Sequence, residues 1–79
     1  MRYVYILRSL ADAQRHYVGS TVDLRKRFAE HNAGQSNHTA KYRPWEIATY
    51  IAFSENEKAD RFEQYLKSGS GRSFAKRHF

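Results

Sequence analysis

A chain of 79 residues supports one domain, spanning 1–79, and a chain this short hides only about 60% of its unfolded surface, so its 12 aromatic residues must supply an efficient core. Fourteen Lys and Arg against eight Asp and Glu give a net charge of +6 and a pI near 9.9, which favours a polyanionic partner such as nucleic-acid phosphate or acidic lipid. The lack of cysteine excludes a disulfide framework and a thiolate zinc site and fits a cytoplasmic protein; no run approaches the ~20 apolar residues of a membrane span, and the apolar stretch 4–7 is too short for a signal peptide.

Residues 2–8 are β-branched and aromatic and predict a strand, with Tyr3, Tyr5 and Leu7 on one face and Val4 and Ile6 on the other. A polar segment containing Asp12 leads to a second short strand around His16-Tyr17-Val18, which Gly19 is expected to end. A helix then follows, capped by Ser20 or Thr21, with Asp23 in its first turn and Gly34 as its stop. The polar stretch 35–43 reads as a loop, and Pro44 and Trp45 open a third strand over 46–53. Ser54 and Glu57 have capping-box spacing, which predicts a second helix over 55–67. The run Ser68-Gly69-Ser70-Gly71 breaks that helix, and a short basic helix can form from Arg72 onward. The order β-β-α-β-α, with a final α, predicts an α+β fold: a small three-stranded antiparallel sheet flanked by helices.

Several polar residues fall where the pattern calls for apolar ones. At ~100° per residue, His31 lies on the core side of the first helix beside Leu24 and Phe28, and Arg27 flanks it. A histidine there is commonly a hydrogen-bonded packing residue, and an arginine at a stripe edge commonly lays its stem along the core. Glu63 points into the middle of the second helix's stripe of Ala59, Phe62 and Leu66. A buried carboxylate needs a counter-charge. A salt bridge, for example to Arg27, and a hard cation such as Mg²⁺ or Mn²⁺ both answer that need. The last 13 residues hold Lys67, Arg72, Lys76 and Arg77 and no acid, a pattern that suits either a solvated tail or a phosphate-tracking surface.

Taken together, the chain resembles the GIY-YIG nuclease superfamily along essentially its full length. The motif strands appear as Tyr3-Val4-Tyr5 and Tyr17-Val18-Gly19, the helix signature as Arg27, His31 and Gly34, and the single acidic residue of the later helix as Glu63. The segment 67–74, Lys-Ser-Gly-Ser-Gly-Arg-Ser-Phe, is similar to the stand-alone bacterial branch. Tyr3 stands where the family name has glycine, Ser20 where the repair-enzyme branch has lysine, and no Asn follows Glu63. The resemblance implies a metal-dependent endonuclease that hydrolyses the phosphodiesters of branched or duplex DNA, with structure specificity, in repair or processing, with one Mg²⁺ or Mn²⁺ on Glu63. It also implies that Arg27 stabilises phosphate charge, Tyr5 orients or deprotonates water, Tyr17 contacts the phosphate or the water network, and His31 assists proton transfer or holds the phosphate. Lys67, Arg72, Lys76 and Arg77 are then candidates for DNA contact. Two other readings stand beside it: a catalytically silent nucleic-acid-binding module, and a subunit that takes its specificity from a partner protein.

Overall fold

The computed structural model describes residues 1–79. In chain order it contains β1 (Arg2–Ser9), β2 (His16–Thr21), α1 (Leu24–Asn32), a 3-10 turn (Ala40–Tyr42), β3 (Trp45–Phe53), α2 (Asn56–Lys67) and α3 (Gly69–His78). The strands form one antiparallel sheet in the order β2-β1-β3, so the expected α+β fold is the one observed. No helix is long and apolar enough to cross a membrane.

The central place of β1 follows from its composition. Val4, Tyr5, Ile6 and Leu7 are all buried, because helices cover both faces of this strand. Val4 and Ile6 pack with Ala59, Phe62 and Leu66 of α2 and Phe74 of α3. Tyr5 and Leu7 pack on the other face with Trp45, Leu24 and Phe28. The two-faced reading of β1 therefore divides the molecule into two thin cores, with α1 on one side and α2 and α3 on the other. Between β1 and β3 the register slips by one residue after Ile6, leaving Ala48 without a partner.

Four local expectations need correction. Gly19 does not end β2: the strand runs on to Thr21, and Gly19 lies opposite Tyr5. The cap of α1 is Asp23, whose carboxylate accepts from the Lys26 amide at 3.1 Å, while Thr21 accepts from the Asp23 amide. Helix α2 starts from Glu55 without a side-chain cap, because Ser54 falls one residue too early and the Glu55 carboxylate pairs with Lys58 instead. The Ser-Gly run does end α2, but α3 starts inside it at Gly69 rather than at Arg72, with Ser68 accepting from the Gly71 amide at 3.1 Å.

Gly71 explains why that turn can be so tight. A Cβ on it would overlap the Tyr65 carbonyl of α2, whereas a Cβ on Gly69 would meet nothing within 4 Å. The obstacle at Gly71 is backbone and cannot swing aside. Gly71→Ala is therefore expected to cost about 1–3 kcal/mol, the usual penalty for overpacking, and Gly69→Ala to stay within about 0.5 kcal/mol of the parent. Urea denaturation of the two variants checks this, and equal stabilities would refute the close approach.

Candidate active site

Tyr5 projects from β1 toward α1 and is 1% exposed. Across the ladder stands Gly19, and a Cβ there would overlap the Tyr5 hydroxyl and the end of its ring. Glycine at this position lets the phenol cross β2. The hydroxyl then meets His31 Nε2 at 2.8 Å, and the other ring nitrogen, Nδ1, meets Thr39 Oγ1 at 2.7 Å. His31 and Thr39 are both 0% exposed. Tyr17 completes an aromatic cluster, its ring centroid 5.0 Å from His31 and 6.4 Å from Tyr5.

The electrostatics follow from this burial. Desolvation pushes the Tyr5 phenol up to about 12; Tyr17 and, less strongly, Glu63 add to the rise, while the Arg27 guanidinium opposes it. Desolvation also holds His31 below its ordinary value, and the nearby Arg27 charge acts in the same direction. The imidazole is thus neutral at pH 7, with one ring nitrogen donating and the other accepting. Arg27 itself is shifted upward, chiefly by its hydrogen bond to Glu30 at 3.0 Å.

The geometry sorts the expected residues. Tyr5, Tyr17 and His31 touch one another, and Arg27 stands beside Tyr5. Glu63 reaches this cluster only through its charge, from a helix on the opposite face of the sheet. Arg27 is not its counter-ion. Lys67, one turn along α2, bonds the Glu63 carboxylate at 3.1 Å, because Arg27 lies beyond the sheet and takes Glu30. His31 has no exposed surface with which to touch a phosphate. Lys67, Arg72 and Lys76 line one groove beside α3, and Arg77 lies outside it.

Thr39 was hidden in the stretch that reads as a loop. Its position is fixed by a polar clamp in which the Asn32 amide donates to the Trp45 carbonyl and accepts from the Trp45 amide, at 3.1 and 2.7 Å. The Trp45 indole also donates to the Thr39 carbonyl at 2.8 Å. No hydrophobic period marks such residues, so the sequence carries no signal for them.

One hard oxygen donor, Glu63, lies within the electrostatic reach of the cluster, and its side chain is 19% exposed. The Lys67 ammonium pairs with this carboxylate one turn along the helix. No three His, Asp or Glu side chains converge anywhere in the chain. A metal here would rest on one carboxylate and fill its other positions with water and phosphate oxygens, a mode that suits Mg²⁺ and Mn²⁺.

Residues 1–77 match the GIY-YIG catalytic domain. A UPF0213 protein of Streptococcus pyogenes serotype M3 is 36% identical over 72 residues, covering 90% of this chain and 76% of its own. Another, from Streptococcus pyogenes serotype M5 (strain Manfredo), is 39% identical with the same coverage.

The buried imidazole makes stability depend on pH with a definite sign. His31 binds its proton less readily folded than unfolded, so acid favours the unfolded chain. Its full contribution is present above an unfolded value of about 6.5, and is lost as pH falls through the lower folded value, by at most about 1.4 kcal/mol per pH unit. An NMR titration of the His31 ring should give a midpoint below 6.5, and urea melts of His31→Gln should show a shallower loss between pH 7 and 5. A midpoint at or above 6.5 would contradict the assignment.

Proposed function

The chain belongs to the GIY-YIG family, and from that premise we propose that it is an endonuclease hydrolysing DNA phosphodiester bonds with one divalent cation held by Glu63. The observation that carries this reading is the buried chain Thr39–His31–Tyr5, which orients a phenol beside a guanidinium and within the field of a carboxylate. A packing histidine needs its nitrogens satisfied, but it does not need a phenol, an arginine and an acid around it. A silent binding module gains nothing from a carboxylate on a phosphate-facing surface.

The Tyr5 phenol stays protonated at neutral pH. Forming the free phenolate at pH 7 from a value near 12 would cost about 7 kcal/mol, against ~4 kcal/mol for an ordinary tyrosine. A pre-formed phenolate is therefore a poor base here. In our reading Tyr5 accepts a proton from the attacking water as its own proton passes to His31 Nε2. His31, held neutral by burial, is ready to receive it, and Thr39 accepts from Nδ1–H so that Nε2 is the free acceptor. His31 and Thr39 are positioning and relay groups and touch no phosphate. Tyr17 packs against both rings and orients the phosphate or its water network.

Arg27 supplies positive charge where negative charge develops on phosphorus. Its guanidinium is half-buried, fixed by Glu30, and able to grip two phosphate oxygens at once. The divalent ion would stabilise the same charge when bound at Glu63. Lys67, Arg72 and Lys76 contact DNA away from the scissile bond.

Two experiments test the assignment. Glu63→Gln should keep the fold and lose both DNA cleavage and Mn²⁺ binding measured by titration calorimetry, because a neutral amide is a far poorer ligand for a hard cation. Full cleavage by that variant at low Mg²⁺ would overturn the ligand role. In single-turnover cleavage at saturating protein, Arg27→Ala should lose on the order of 10²–10³ in rate, and Arg27→Lys should fall between. Wild-type rates in both, with binding alone weakened, would make Arg27 a positioning residue.

A further inference from the structure

Seven carboxylates are taken up in ion pairs, and the eighth, Asp23, caps α1. Arg72 and Lys76 on α3 are among the cations left without an acidic partner. Both line a groove of about 640 Å³ that runs between α3 and the β1–β2 hairpin. Arg8, His16, Tyr17 and Lys67 line it as well, and no Asp or Glu side chain does. Val18 and Leu66 give it an apolar floor.

This groove is continuous with the candidate active site. Tyr17 forms one of its walls and also packs on Tyr5 and His31. Lys67 lies in it and bonds the Glu63 carboxylate. Cations along a trough, with an aromatic face beside them and an apolar floor, are what an unpaired strand needs: phosphates meet the charges and bases stack on the rings. A paired helix offers no free base faces, and a cleft of this volume in a molecule only 17 Å thick along its shortest axis has no room for one.

We propose that the groove between α3 and the β1–β2 hairpin binds a single unpaired nucleic-acid strand as it leaves the active site, so that the substrate carries a single-stranded segment at the scissile position. The direction of the strand rests on the nuclease reading above, but its binding does not. Arg72 and Lys76, one helical turn apart, engage successive phosphates. Tyr17 separates the stacked bases from the reacting phosphate.

The test is fluorescence anisotropy of the full chain in EDTA, where no cleavage occurs, with a labelled oligothymidylate and a duplex of equal length. The oligothymidylate should bind more tightly at every salt concentration. Arg72→Ala and Lys76→Ala should each weaken it about three- to tenfold and flatten the slope of log affinity against log salt by about 0.7 per lost contact, the single-strand value. Arg77→Ala removes the same charge from the same helix but outside the groove, and should weaken binding less. The proposal falls if the duplex binds as tightly, if Arg77→Ala matches Lys76→Ala, or if polyglutamate of equal charge competes as well as unlabelled oligothymidylate. Repeating the measurement with Mg²⁺ or Mn²⁺ on a duplex that carries an oligothymidylate arm separates the two claims: an arm bound in the groove with no strand cut at its junction would sink the nuclease reading and leave the groove standing.

Discussion

A single contact, 2.8 Å between the Tyr5 hydroxyl and His31 Nε2, ties the central strand to α1 and sets the terms for everything around it. It exists only because β2 offers a glycine where the phenol must cross, and because Thr39 takes the far nitrogen of the imidazole. Both rings are withdrawn from water, so no other solvent or side chain can substitute for the missing partner if one is lost. A polar pair in that position contributes little net stability compared with an apolar pair of the same shape. What it does fix is geometry: the phenol is aimed and the imidazole kept neutral.

Around that contact the fold solves a problem of scale. Two thin cores on opposite faces of three strands leave no helix fully surrounded, so several charged side chains come to rest half-buried. Arg27 and Glu63 are two of these, with side chains 35% and 19% exposed. Their separation by the sheet matters. Were they adjacent, they would neutralise one another. The local partners Glu30 and Lys67 hold them in place instead.

Much of this was legible in the residues, because periodicity records burial. The alternation in β1 gave both faces, and the helical count put His31 on the core side of α1, beside Leu24 and Phe28, where it is fully buried. Where local chemistry competes, periodicity says less. Ser54 and Glu57 have the spacing of a capping box, yet the extended backbone of Glu55 starts α2 one residue later. The Ser-Gly run reads as a break with a helix only from Arg72, yet α3 begins inside it because a missing side chain at Gly71 allows two helices to meet at a backbone carbonyl. Thr39 was beyond reach for a different reason. Its role depends on a fold-back of the chain through Asn32 and Trp45, and no short-range pattern encodes a contact made that way.

The slipped register at Ala48 has a consequence for the molecule's behaviour toward copies of itself. Strand β3 is nine residues long and pairs with β1 on one side only, which leaves its other side as a row of main-chain donors and acceptors. A straight row of that length is a template for another chain's strand. The bulge bends it partway along, so donors on either side of Ala48 no longer lie in one line. An incoming strand can follow one half or the other but not both. A domain with too little interior to spare for a covering element thus guards its longest open edge with a single extra residue.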